Sequence, residues 1–269
     1  MNPNRTKARL KAGGAVVGAW LAVPSIVSTR FLASLGWDYL TVDMEHQPID
    51  IESASAMFGA IAAAGVTPLA RIPWNTAENI KRVLDCGAHG IVVPMVNTRE
   101  EAELAVAAAK YPPQGFRSVG GSLHAMNFGA DPATYYARAN DEILVVVQAE
   151  SPQGVANADA ILSVPGVDAV FIGPNDLLAQ MGHTPKMESP EPEFVAALET
   201  IRTTADRYGV AAGIHTANFE QCNRRLREGF RFMALASDAR FLVAGAQAEL
   251  SKLEIPGREA GGPGEVLRY

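Results

Sequence analysis

Cysteine is nearly absent: Cys86 and Cys222 are the only two in 269 residues, and neither forms a Cys-x-x-Cys pair or lies near a histidine at zinc spacing. That argues against a zinc centre and makes a reducing cytoplasm the expected compartment. Charge is sparse as well, at 19%, and the net charge is -6 with no basic cluster longer than Arg224-Arg225-Leu226-Arg227. Such a surface is a poor match for nucleic acid or an anionic membrane. No apolar stretch reaches membrane-spanning length, and neither a Gly-x-Gly-x-x-Gly nor a P-loop pattern occurs. The expected partners are small molecules and copies of the chain itself. Basic Arg5, Lys7, Arg9 and Lys11 ahead of the apolar run Ala15–Val23 loosely mimic a secretory signal. That run, however, is needed as the first strand of the pattern described next.

Apolar residues are what the chain has in quantity, 48%, enough for a sizeable core. From Ala15 onward, short β-rich runs alternate with longer segments rich in Ala, Leu and Glu. Candidate strands are Val16–Leu21, Tyr39–Asp43, Thr67–Ile72, Gly90–Pro94, Leu144–Ala149, Ala169–Gly173, Ala211–His215 and Phe232–Ala236. Helices are expected near Ser25–Leu35, Ile51–Ala64, Ala77–Cys86, Arg99–Lys110, Gly154–Leu162, Glu193–Tyr208, Phe219–Glu228 and Ala239–Leu250. Strict alternation of this kind fits a closed (β/α)8 TIM barrel, one domain over residues 1–255, with an irregular tail over 256–269. The fourth connection is long, from Tyr111 through Gly115–Gly121 to Asn140, and reads as a functional loop with a short helix after Asp131.

A barrel of this type works at the C-terminal ends of its strands. The stretch Trp37–Asp50 is the densest such tip, delivering Asp43, Glu45 and His46 within four residues. Arg71 ends the third strand, Gln148 and Glu150 the fifth, Asn175 and Asp176 the sixth, and His215 the seventh. Glu150 and Asp176 follow adjacent strands, and paired hard oxygen donors suit Mg²⁺ or Mn²⁺; each alone can equally cap a helix or pair with an arginine. The Arg71 fork can bind a carboxylate or stabilise an enolate, or sit in a buried ion pair. His46, beside two carboxylates, reads as an acid/base. Asp85, His124 and His215 are weaker candidates, explained as readily by capping or loop hydrogen bonds. The six lysines (Lys7, Lys11, Lys81, Lys110, Lys186 and Lys252) all fall outside the strand tips, so no Schiff-base nucleophile is evident. The loops Thr216-Ala217-Asn218 and Ser237-Asp238-Ala239 lack glycine, which weakens the case for a phosphate site. A metal-dependent reaction on a small carboxylate is what these absences leave strongest.

Six segments then match a known pattern: Asp38–His46, Ala70–Asn75, Val92–Val96, Tyr111–Arg117, Val147–Ser151 and Val170–Leu177. In this order the chain resembles the HpcH/HpaI family of class II, metal-dependent pyruvate aldolases. The resemblance implies that Glu150 and Asp176 bind a divalent ion (Mg²⁺, Mn²⁺ or Co²⁺) that chelates a 2-oxo acid, and that Arg71 holds the keto oxygen. It further implies His46 as the base, acting through a bound water with Asp43 assisting. Asp85 of a neighbouring subunit would raise that basicity, and Gln148 and Asn175 would line the 2-oxo acid site with Asp176. A homo-oligomer, a hexamer exchanging the last helix, also follows from the family, and the apolar residues Phe241, Leu242, Ala246 and Leu250 suit either exchange or packing within one barrel. Asn175 and His215 depart from the family's small and aliphatic residues, so they bear on specificity.

The expected reaction is reversible cleavage of a 4-hydroxy-2-oxo acid to pyruvate (or hydroxypyruvate) and an aldehyde. Two rivals stand beside it: a citrate-lyase-like enzyme acting on a coenzyme A thioester, and a non-catalytic barrel that only binds a metal and a carboxylate.

Overall fold

Alternation along a strand sends every second side chain into a barrel and the others toward the surrounding helices. The computed structural model, which describes residues 1–254, shows this division in a closed parallel barrel whose strands pair in chain order. They are β1 (Val16–Leu21), β2 (Tyr39–Asp43), β3 (Thr67–Arg71), β4 (Gly90–Val93), β5 (Leu144–Gln148), β6 (Ala169–Ile172), β7 (Ala211–Thr216) and β8 (Phe232–Ser237). Inward residues such as Val16, Trp20, Tyr39, Leu69, Val146, Phe171, Ala211 and Phe232 form one apolar cluster. Outward residues such as Leu40, Val42, Ala70, Val147, Val170 and Ile214 belong to a second, packed under the helices. Stepping two residues up the inward series takes Thr41 to Asp43, Leu69 to Arg71, Val146 to Gln148 and Gly213 to His215. Polar residues thus close the C-terminal end of an otherwise apolar lumen.

The helices are α1 (Arg5–Lys11), α2 (Ile26–Ala33), α3 (Ile51–Ala63), α4 (Ala77–Asp85), α5 (Arg99–Ala109), α6 (Leu123–Asn127), α7 (Pro132–Glu142), α8 (Pro152–Ala156), α9 (Ala158–Leu162), α10 (Pro174–Gln180), α11 (Pro192–Tyr208), α12 (Phe219–Arg227) and α13 (Asp238–Leu250). Local chemistry sets several boundaries. Asp50 caps α3 by accepting from the Ser53 amide at 2.8 Å, Thr98 and Glu101 form a capping box on α5, and Gly209 ends α11 in the left-handed conformation at φ 68°.

The expected elements lie within one or two residues of these, with four differences, one of them α6, a helix inside the long connection where none was expected ahead of Asp131. The segment expected as a helix over Gly154–Leu162 is two short helices, broken at Asn157, whose side-chain amide donates to the Asn97 carbonyl at 2.7 Å. A helix missed altogether, α10, starts directly at the tip of β6, where Pro174 supplies a helical first position. The basic segment before β1 is also a helix, α1, with Thr6, Lys7 and Leu10 buried. With only one large apolar residue it lacks the periodicity that marks a packed helix. The tail expected from Pro256 lies outside the described residues.

Helix α1 closes the N-terminal end of the barrel through polar contacts. The Lys7 ammonium lies 2.9 Å from Asp168 and donates to the Ile143 carbonyl at 2.6 Å. Lys110 donates to the same carbonyl at 3.2 Å, and burial pushes its pKa down to about 7. Asp168→Ala would leave Lys7 buried without its counter-ion. We expect that variant to lose about 3–5 kcal/mol of stability, read as a lower denaturation midpoint in urea. At the other end of the chain α13 extends with little cover: Leu242 is 71% and Leu250 56% exposed.

Candidate active site

The mouth of the barrel is organised around Arg71. As the last residue of β3 it points inward at the level where apolar layers give way to polar side chains. Its Nε and Nη2 donate to the two oxygens of Asp43 at 2.8 and 2.6 Å, and Nη1 lies 3.0 Å from Glu45 Oε2. The guanidinium rests 4.3 Å above the Trp20 ring. Burial would lower the Arg71 pKa, but the hydrogen bonds and charge of Asp43, followed by Glu45 and Glu150, raise it instead. The cation is therefore fixed in place, with part of its fork unclaimed by Asp43 and Glu45.

Glu150 follows β5 and is 2% exposed. Its Oε1 accepts from the Met95 amide at 2.9 Å and its Oε2 from the Gln148 side-chain amide at 2.9 Å. Met95 reaches it by adopting a φ of 52°, uncommon for a non-glycine residue. Gly173 approaches from β6 so closely that a Cβ there would collide with Glu150 Oε2. Burial pushes the Glu150 pKa up to about 8, with Asp176 and Glu45 also raising it against the Met95 amide and Arg71. Asp176 and Asn175 lie in the first turn of α10, half-buried beside this carboxylate's strand.

These groups fit a divalent cation. The Glu150 and Asp176 oxygens are hard donors, the side-chain amide oxygen of Gln148 is buried without a partner, and a bound cation would offset the burial that disfavours ionised Glu150. Among the described residues no three His, Cys, Asp or Glu side chains form a metal cage. Two carboxylates with water or substrate oxygens completing the shell is the pattern Mg²⁺ tolerates.

His46 is 55% exposed in its side chain, with Nε2 3.8 Å from Glu45 Oε2. Asp43, three residues before it, turns its carboxylate to Arg71 and to the backbone amides of Glu45 and His46. Asp43 therefore orients the cation and the turn, while the carboxylate near the imidazole is that of Glu45. Asp85 stands apart at the end of α4, with Oδ1 2.6 Å from Arg117 Nη2, and lines an open groove with Glu52, Arg82 and Leu123. No hydrogen bond or ion pair joins it to His46 within the chain among the described residues. His124, in α6 of the long connection, is buried with its ring centroid 4.3 Å from that of Tyr135. His215 faces into the lumen and stacks on Trp20, with ring centroids 5.6 Å apart.

Trp20, Met95 and Gly173 were not among the residues expected from sequence. Trp20 had a signal, a lone indole on the inward side of a strand leading to the same mouth. The Met95 backbone turn and the space at Gly173 depend on neighbours distant in sequence and left none.

Comparison with known proteins agrees with the fold. The model of the HpcH/HpaI aldolase/citrate lyase family matches residues 17–244. A 5-keto-4-deoxy-D-glucarate aldolase of Escherichia coli (strain K12) is 40% identical over 236 residues, covering 88% of this chain and 91% of the relative. Among solved structures, an HpcH/HpaI aldolase/citrate lyase family protein from Burkholderia cenocepacia J2315 is 32% identical with a TM-score of 0.86, covering 92% of this chain and 98% of that one. An HpcH/HpaI aldolase from Desulfitobacterium hafniense DCB-2 is 33% identical with a TM-score of 0.84, covering 93% and 97%.

Proposed function

This chain belongs to the HpcH/HpaI aldolase/citrate lyase family and is a carbon–carbon lyase, and from that premise we propose that it cleaves a 4-hydroxy-2-oxo acid reversibly, with a divalent metal, to pyruvate (or hydroxypyruvate) and an aldehyde. The observation that carries this reading is the Arg71 cation, fixed by Asp43 and Glu45, at the same barrel end as the buried carboxylate Glu150. Glu150 and Asp176 would hold the ion, Mg²⁺, Mn²⁺ or Co²⁺. When bound, it supplies Lewis-acid polarisation of the 2-oxo group.

In the cleavage direction, His46 accepts the proton of the C4 hydroxyl. The C4–O bond becomes a carbonyl as the C3–C4 bond breaks, and the electron pair passes to the 2-oxo fragment as its enolate. Arg71 directs its free N–H groups at the developing oxyanion, where a preorganised donor has its largest effect. Protonation at C3 then yields pyruvate, and the reverse sequence forms the bond. Gln148 holds the Glu150 carboxylate and, with Asn175, borders the 2-oxo acid.

Asp85 would act on the His46 of a neighbouring copy, consistent with its half-buried place in a surface groove and with the lack of any hydrogen bond or ion pair between the two among the described residues. The exposed apolar residues Phe241, Leu242 and Leu250 of α13 support an exchanged helix in a homo-oligomer, a hexamer by family resemblance. No helix among the described residues is long and apolar enough to cross a membrane. That Cys86 and Cys222 are both unpaired thiols supports our reading of the cytoplasm as the compartment.

Because the E. coli relative is named for 5-keto-4-deoxy-D-glucarate, that compound heads the panel of 4-hydroxy-2-oxo acids to test. With Mg²⁺ present, lactate-dehydrogenase-coupled detection should register pyruvate from at least one of them. Absence of turnover on every member would overturn the proposal.

A further inference from the structure

His215 stands where the family resemblance implies an aliphatic residue, and the surroundings of that side chain define what it can recognise. It is the last inward-facing residue of β7, so it borders the mouth and not the helix layer. One face stacks on Trp20, with ring planes 10° apart, and Trp20 also carries the Arg71 guanidinium at 4.3 Å. His215 Nε2 lies 3.3 Å from the Ala236 carbonyl oxygen. Ala236 sits where the pairing of β1 with β8 shifts register, between Gly18↔Ala234 and Trp20↔Ser237, and has a φ of 52°. This local irregularity accompanies an Ala236 carbonyl placed against the imidazole.

A carbonyl can only accept a hydrogen bond, so Nε2 carries the proton. Burial, followed by the Arg71 charge, pushes the His215 pKa down to about 4, which keeps the ring neutral at pH 7. Its Nδ1 then holds a lone pair with no hydrogen-bond partner among the described residues. An aliphatic side chain here would offer shape alone.

Resting on the aldolase reading, we propose that His215 is a specificity-determining residue whose Nδ1 accepts a hydrogen bond from a hydroxyl on the part of the substrate beyond its 2-oxo acid end. The preferred substrate class is then a hydroxylated carbon chain, and deoxy analogues of the same length leave Nδ1 desolvated and unpaired.

The test compares hydroxyl and deoxy partners in the wild type, His215→Phe and His215→Asn. Phenylalanine keeps an aromatic face for Trp20 and removes the acceptor, whereas asparagine keeps a polar acceptor on a smaller side chain. For turnover, aldol addition of pyruvate to glycolaldehyde is compared with addition to acetaldehyde. For binding without turnover, calorimetry on the Mg²⁺-loaded protein compares 5-hydroxy-2-oxopentanoate with 2-oxopentanoate, and 6-hydroxy-2-oxohexanoate with 2-oxohexanoate. None of these four acids has the 4-hydroxyl that cleavage requires. We expect His215→Phe to reduce the hydroxyl preference by about 10-fold in at least one pair, with partial recovery in His215→Asn. Ratios in His215→Phe equal to wild type in every pair, or wild-type protein that binds neither member of either acid pair, would overturn the assignment. A binding ratio that changes as expected in a protein without turnover supports His215 and counts against the aldolase reading alone.

Discussion

Arg71→Ala should lower kcat for cleavage by about 10²–10³-fold, measured with saturating substrate and metal. The magnitude follows from how the residue is held. Two nitrogens are committed to Asp43 and a third faces Glu45, so the cation needs no reorganisation when charge develops on the substrate. Arg71→Lys should recover little, because an ammonium cannot reproduce the bidentate fork over Trp20. Removing the guanidinium also leaves Asp43 and Glu45 without their common counter-ion, so thermal unfolding of each variant must accompany the kinetics. A loss in kcat from protein that remains folded reports Arg71's part in the reaction, whereas unchanged kcat would remove it from the mechanism.

Glu150→Gln should produce the second large effect, loss of metal binding together with loss of metal-stimulated turnover. Residues that merely support a metal ligand commonly cost about 10–100-fold in affinity, and loss of a ligand carboxylate should cost more. The wild-type protein adds a pH signature. Without a cation, burial holds the Glu150 carboxyl protonated up to about pH 8, and binding must displace that proton. Mg²⁺ affinity should therefore climb from pH 6 to pH 8 and level off above, as read by calorimetry. Glu150→Gln removes the titrating group, and residual binding should lose this part of the climb.

The barrel was legible because its causes are local: inward and outward strand residues, turn glycines and helix caps recur along the chain. The same rule marked Arg71, Gln148 and His215 as strand-tip residues. Their partners were less legible. Asp43 and His46 are close in sequence, yet the carboxylate of Asp43 goes to Arg71 on the adjacent strand, a choice made by strand register at Asp43↔Arg71. Arg117 pairs with Asp85 across 32 positions, and Met95 with Glu150 across 55; neither separation leaves a periodic trace. Helix α1 escaped notice for a related reason. It is held largely by Lys7, Thr6 and Asn4 through polar contacts with the barrel floor, not by an apolar stripe.

The central claim is a metal-dependent aldol cleavage carried by this mouth. Its most direct test is pyruvate release from the 4-hydroxy-2-oxo acid panel by wild-type protein stripped with a chelator, then returned stepwise to Mg²⁺, Mn²⁺ and Co²⁺. We predict no turnover after stripping, recovery with at least one ion, and no recovery in Glu150→Gln. Full turnover in the stripped protein, or none with any ion on any substrate, would contradict it.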